Sequence, residues 1–227
     1  MNLESKNKHY WEKYFKTGKI KEEPDEAIVK IVPLMKKMKF EKILDLGCGG
    51  GRHLVYLAKK GFSIIGCDIS STALKKAQIW LDKEKIINYC LVKHNIPRLP
   101  FLDGYFDVVI SVYAIEHSNL YNVKRTIDEV FRVLKKGGIF LTTIVSTKDY
   151  KFKIGKKIEK NTYLFHDTLH HFFDEKDIKI LFNKFSILKF EERVEIKSKD
   201  ELIHTDFLKK INGDTVKNVH LVILAKK

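Results

Sequence analysis

At 227 residues, with 44% hydrophobic and 32% charged positions, the chain has the composition of a single soluble globular domain long enough for a substantial core. No run approaches the roughly 20 apolar residues of a membrane span, the N-terminus has no apolar signal-peptide core, and Cys48, Cys67 and Cys90 are not paired by spacing, so reduced thiols in a cytoplasmic protein are expected. The net charge of +14 invites a nucleic-acid partner, but only five of the 43 basic residues are arginine, the usual reader of phosphate and guanine, and lysine-rich composition accounts for the rest.

The first predicted element is a helix over 3–16 with an aromatic cluster, Tyr10, Trp11, Tyr14 and Phe15. The second is a helix over 25–38 with Ile28, Ile31, Val32 and Met35 on one face, in which Pro33 predicts a kink or an early end. Then Ile43-Leu44-Asp45-Leu46 reads as a buried strand that stops at Gly47-Cys48-Gly49-Gly50-Gly51-Arg52, and His53–Lys60 reads as a helix stopped by Gly61. Strand, glycine turn and helix open a doubly wound α/β fold, whose ligand sits above the carboxyl ends of the strands. The dinucleotide fingerprint would need its third glycine at position 52, where Arg52 stands, and no Gly-Lys-Ser/Thr follows to make a phosphate loop.

The pattern that is present, Asp45, Gly47, Gly49 and Gly51 at alternate positions, resembles motif I of the class I S-adenosylmethionine (SAM)-dependent methyltransferases. In that family the loop wraps the methionine part of the cofactor. The resemblance therefore implies that Asp45 lies near the amine, and that Gly47, Cys48, Gly49, Gly51 and Arg52 border the methionine end. Free N–H groups at a helix start suit its carboxylate.

Downstream, Ser63–Asp68 reads as a second strand ending in an acid 17 positions after Gly51, near the spacing at which nucleotide folds hold ribose hydroxyls. Asp68, with Ile69 beside it, is assigned to the ribose, while Ser70 or Ser71 offers the N-cap of a helix over 72–83. A third strand, 88–93, leads to Asn95-Ile96-Pro97-Arg98-Leu99-Pro100-Phe101. The family's similar stretch implies Asn95 at the adenine amine and Ile96 against the ring, with Asn where an acid is usual.

Asp103-Gly104-Tyr105-Phe106-Asp107-Val108-Val109-Ile110-Ser111 resembles the family's next turn and strand, and places Ser111 on the cofactor side. After it comes Val112-Tyr113-Ala114-Ile115-Glu116-His117. A helix over 122–134, a Lys135-Lys136-Gly137-Gly138 turn and a strand over 139–145 complete five ordered matches across about residues 40–145.

Beyond 145 the common pattern ends. The basic, aromatic-bearing stretch 148–160 reads as a loop or lid, and 163–173, with His170-His171-Phe172-Phe173, is similar to small methyltransferases near the tellurite-resistance and thiopurine types. A helix over 174–182 and strands near 185–196 and 217–226 finish the sheet.

The expected architecture is thus one Rossmann-like domain with a seven-stranded, mostly parallel sheet and a C-terminal antiparallel hairpin. It divides into a helical cap (1–40), a cofactor-binding core (41–145), an acceptor-side insertion (146–173) and a C-terminal helix and strands (174–227). Tyr10, Trp11 and Tyr14 are expected over the cofactor. His117 is the first candidate base and His171 the second; both also read as hydrogen-bonded pocket-wall residues. His166 and His170 stand four apart, but no Cys or Glu at helical spacing supports a metal site, and none is expected. The function this implies is SAM-dependent methyl transfer to a small molecule. The alternatives are a tRNA, rRNA or protein methyltransferase using 148–160, and a SAM-binding protein without catalysis.

Overall fold

A computed structural model of the chain describes residues 3–18, 21–198 and 214–227; parts of the expected cap and of the C-terminal region lie outside them. The elements, in order, are α1 (Leu3–Thr17), α2 (Glu26–Lys37), β1 (Lys42–Leu46), α3 (Arg52–Lys59), β2 (Ser63–Asp68), α4 (Ser71–Lys83), β3 (Tyr89–Lys93) and β4 (Phe106–Val112). They continue with α5 (Leu120–Val133), β5 (Leu134–Val145), β6 (Lys156–Glu159), β7 (Thr162–Phe165), β8 (Thr168–His171), α6 (Glu175–Leu181), β9 (Ser186–Ser198) and β10 (Thr215–Lys226).

The main sheet runs β3-β2-β1-β4-β5-β10-β9, with β10 antiparallel to both its neighbours and the remaining pairs parallel. This is the expected seven-stranded sheet with its terminal hairpin. Strand order reverses between β1 and β4, which makes the crevice above their carboxyl ends the topological switch point.

The central strands are apolar on both faces because helices cover both. Leu44, Val109 and Phe140 pack with α5 and α6 residues such as Ile127, Val130 and Leu181, while Ile43, Val108 and Ile110 pack with Ile28, Leu54 and Leu81 of α2, α3 and α4. Near the opposite end of the sheet, Asp107 accepts from the N–H groups of Glu41 (3.1 Å) and Lys42 (2.9 Å) and pairs with Lys135 at 2.7 Å, tying β4 to the start of β1. Arg132 fixes the 99–103 loop, donating to the carbonyls of Leu99 (3.0 Å) and Phe101 (2.8 Å) and to Asp103 (2.7 Å).

Three expectations are corrected. Helix α2 passes through Pro33 without the early end; the carbonyl that loses its partner belongs to Val29, on the exposed side of the helix. Strand β5 begins at Leu134 and not at 139; Gly137, at φ +81°, bends the chain within it, with a register shift between Phe106 and Val108 opposite. The stretch after 148 is only partly a loop, since β6, β7 and β8 form a separate three-stranded antiparallel sheet. Its turns sit at Asn161 and at His166-Asp167, all with positive φ, the conformation that two-residue hairpin turns demand.

Helix α1 lies across the top of the crevice, held at both ends. The Glu12 carboxylate accepts from the N–H groups of Ser71 (2.7 Å) and Thr72 (3.1 Å) and from the Ser70 hydroxyl (3.1 Å), occupying the start of α4. Toward its N-terminus, Asn7 donates to the His117 carbonyl (3.1 Å) and accepts from the Thr168 hydroxyl (2.7 Å). Partial burial works to raise the Glu12 pKa, but the hydrogen bonds from Thr72, Ser71 and Ser70 prevail and hold it at about 2.

A carboxyl depressed in the folded state stabilises above its ordinary pKa and loses that contribution as pH falls through the folded value. The contribution of Glu12 to the docking of α1 is therefore full above about pH 4.5 and lost toward about pH 2. With Trp80→Phe leaving Trp11 as the reporter, fluorescence should show this step, and Glu12→Gln should move helix release to neutral pH.

Candidate functional site

The turn from β1 into α3 builds the floor of the site. Gly47, Gly49 and Gly51 have φ of +69°, +53° and +94°, where a side chain is strained. A Cβ on Gly47 would stand 2.3 Å from the Ala114 methyl, one on Gly49 3.0 Å from the Phe15 ring, and one on Gly51 2.9 Å from the Ala77 methyl. The loop is thus pressed between β4's end, α1 and α4. Asp68 locks it: its carboxylate accepts from Gly49 N–H at 2.9 Å and Ser70 N–H at 2.8 Å, while Ser70 itself caps α4 through Ala73. Burial pushes the Asp68 pKa up to about 6 against the pull of those N–H bonds.

Above the loop is a cleft of about 320 Å³ that gathers most of the expected residues. Gly47, Cys48, Gly49 and Arg52 line its floor, Asp68 and Ile69 one wall, and Asn95 and Ile96 the far end; Trp11 and Tyr14 of α1 form the roof, and His117 stands at the mouth beside Asn7. Sequence reading missed Asn7, Phe15, Lys21, His53 and Tyr113, which also line it. Phe15 carried a local signal as part of the aromatic cluster of the first helix, and Tyr113 as an aromatic in the segment after β4, where it adopts φ +55°.

Other expected residues lie elsewhere. Gly51 and Ser111 are behind the wall, the Ser111 hydroxyl being spent on the Leu46 carbonyl at 3.1 Å. Tyr10 faces a second surface cavity of about 390 Å³ that shares Tyr14 with the cleft. His171 is wholly buried on β8, hydrogen-bonded to Thr162 at 2.8 Å and 3.6 Å from the Asp177 carboxylate, and so anchors the small sheet to α6. Among the described residues no group of His, Cys, Asp or Glu is arranged to hold a metal.

The electrostatics divide the cleft into two ends. Beneath the glycine loop Asp45 is 1% exposed with neither carboxylate oxygen hydrogen-bonded. Its nearest cation-forming neighbour is His53, whose Nδ1 lies 3.7 Å away while Nε2 accepts the Asp25 N–H at 3.2 Å. A buried carboxylate without partners is costly, and a cationic group from a ligand would relieve it. Arg52 and Lys21 flank this end; burial, then Arg52 and Lys197, holds the Lys21 pKa below its ordinary range.

At the other end the charges are quenched. Burial drives His117 down to about 4, against a backbone hydrogen bond to Leu169, and leaves Nδ1 without a partner. Burial also pushes neighbouring Glu116 up to about 8. At neutral pH this end presents an uncharged imidazole beside the Trp11 and His170 rings, each 4.7 Å away.

These features fit SAM: an orphaned carboxylate for its amine, a lining carboxylate for its ribose, an amide for its adenine and bare backbone beneath. A methyltransferase-domain family model matches residues 44–142. By sequence the chain is 39% identical over 100 residues to a Synechocystis protein described as a methyltransferase, covering 44% of this chain and 45% of that one. It is 34% identical over 122 residues to the ubiquinone biosynthesis O-methyltransferase of Pelagibacter ubique (52% and 49% covered). It is also 25% identical over 148 residues to a Drosophila tRNA N(3)-methylcytidine methyltransferase (60% and 46%).

The chain spans about half the length of the curated relatives it matches. Among solved structures, a SAM-dependent methyltransferase of Methanosarcina mazei superposes with TM-score 0.66 at 25% identity, covering 86% of this chain and 97% of that one. TehB of Haemophilus influenzae shares the fold at TM-score 0.64 and 20% identity (97% and 67%).

If Asp68 holds both ribose hydroxyls, Asp68→Ala should weaken SAM by about 2–4 kcal/mol in calorimetry, and Asn95→Ala by about 1 kcal/mol, as expected for charge-assisted and neutral hydrogen bonds. Because Asp68 ionises near pH 6, wild-type affinity should rise with pH through that value, and the Asp68→Ala variant should lack the rise.

Proposed function

We propose that this chain, which belongs to the class I SAM-dependent methyltransferases, transfers the methyl group of SAM to a small-molecule acceptor. The observation that carries the reading is the pairing of a positive-φ glycine loop with two buried acids at the ends of adjacent strands, Asp45 orphaned and Asp68 at the cleft wall. Asp68 would hold the ribose, Asn95 and Ile96 the adenine, and Asp45 with the loop backbone and Arg52 the methionine end. When bound, SAM supplies a methyl on a sulfonium, a leaving group already activated by its charge.

The chain's own task is then placement. Orientation carries most of the rate in such a displacement, so no strong acid–base constellation is required. His117 sits where an acceptor would enter, and its unpartnered Nδ1 offers a hydrogen bond that orients it. With a pKa near 4 it is a weak base, and so it contributes as a neutral hydrogen-bond acceptor and not as a proton sink.

A small acceptor is favoured over RNA by how the basic 148–160 stretch spends its charge. Lys148 pairs with Glu192 at 2.7 Å, Lys160 with Asp174 at 3.3 Å, and Lys151 stands 4.0 Å from Asp149. Lys153, Lys156 and Lys157 are exposed. The second reading, an RNA acceptor, draws on those three lysines and on the relative named for tRNA.

Calorimetry should find SAM and its demethylated product bound and NAD not; tight NAD binding without SAM ends this reading. Methyl uptake from labelled SAM should appear in a metabolite pool and not in bulk RNA. Neutralising Lys153, Lys156 and Lys157 together should leave SAM affinity unchanged. If the acceptor is RNA, the same variant should lose binding and flatten its salt dependence. His117→Gln should keep turnover within about tenfold, whereas a proton-transferring base would cost about 10²–10⁴.

A further inference from the structure

Strand β9 closes one edge of the main sheet, paired along its length with β10 and, among the described residues, with no other strand. It is 13 residues long and contains no proline. An unpaired edge of that length is a template for another strand, and proteins that keep such edges single blunt them with short strands, prolines or inward charges. Here one register irregularity stands opposite Leu224/Ala225, near the start of the strand, and the rest is regular.

The strand also exposes apolar side chains where a free edge would bear polar ones. Phe190 is 45% exposed, Val194 48% and Ile196 69%. Phe190 and Val194 lie opposite Ile223 and Val219, so they share the sheet face that packs on α5 and α6 but project beyond it. The other face of β9 alternates in charge: Lys189, Glu191, Arg193, Glu195, Lys197.

This sequence is complementary to itself. Laid antiparallel on a second copy about a two-fold axis through Glu192, Phe190 meets Val194 and Lys189 meets Glu195, each twice by symmetry, while Glu191 comes opposite an Arg193 already held by its own Asp25 at 3.1 Å. Moving the axis to Arg193 sets Lys189 against Lys197 and Glu191 against Glu195. Moving it to Glu191 sets Lys189 against Arg193 and Phe190 against Glu192. The one like-charged meeting in the favoured register is Glu192 with itself on the axis, and each Glu192 already pairs with its own Lys148 at 2.7 Å.

We propose that the chain forms a two-fold symmetric homodimer by antiparallel pairing of β9 with β9 of a second copy, joining the two seven-stranded sheets into one. The occupant is a second copy because the match of both the apolar and the charged face arises from the strand's own sequence under the two-fold. The pairing lies at the hairpin edge of the sheet and leaves the cleft of each copy open to its own ligands.

Sedimentation of the full chain at protomer concentrations raised to about 100 µM should find a dimer whose share grows with concentration. Lys189→Glu and Glu195→Lys, each creating two like-charged pairs across the axis, should each raise the dimer dissociation constant by about tenfold or more. The double variant K189E/E195K restores opposite charges and should return the constant to near wild type. Both side chains are exposed, so thermal melts of the variants should match wild type and report an intact fold. A chain that stays monomeric throughout, a dimer indifferent to the single variants, or a double variant no closer to wild type than the singles would each overturn the proposal.

Discussion

The structure depends on a shortage of space at the end of β1. The chain must turn there from strand to helix while three elements converge on the turn, and Ala114, Phe15 and Ala77 leave no room for a side chain at Gly47, Gly49 or Gly51. Alternate glycines at positive φ are the solution L-residues do not offer. Once the loop is pressed flat, its N–H groups must be satisfied, and Asp68 from the neighbouring strand takes that of Gly49. The same carboxylate bonds the start of α4, so strand two, the glycine loop and two helices are set relative to one another by one side chain.

Much of this was legible from residue order because it is local. Strand, turn and helix periodicities identify the elements from 40 to 145, and the spacing from Gly51 to Asp68 is set by one helix and one strand. What escaped was tertiary. His171 looks like a pocket histidine by its neighbours, yet β8 turns it toward Thr162 and Asp177. Ser111 ends its strand at the right height but spends its hydroxyl on Leu46. The small sheet of β6–β8 was obscured because its strands are only four residues long and its turns use Asn161, His166 and Asp167 in place of glycine. Asn7 and Lys21 come from regions with no strong pattern, and only the crossing of α1 over the crevice brings Asn7 to the mouth.

The cleft is polarised, with its charged groups at one end. One end combines an unpartnered acid with nearby Arg52 and Lys21, an arrangement suited to a zwitterion, whose two charges each find an opposite. The other end has traded charge for burial: the imidazole of His117 stays neutral and the Glu116 carboxyl holds its proton, each through desolvation. A neutral mouth and a charged floor orient an elongated ligand before any contact specific to its centre is made. Helix α1 then adds an aromatic roof whose position is set by hydrogen bonds at its two ends and not by its own helical propensity.

The three thiols divide by the same geometry. Cys48 and Cys67 are buried beside the acids of the loop, and burial followed by the charges of Asp68 and Asp45 raises both thiols, Cys67 to about 12. Both are thereby disfavoured as thiolates at neutral pH, the form that reacts with alkylating reagents and mild oxidants. Cys90 is exposed on β3, the sheet edge opposite β9. The native chain therefore carries a single addressable attachment point, remote from the hairpin edge, through which a fluorophore or spin label can be fixed without altering any other cysteine.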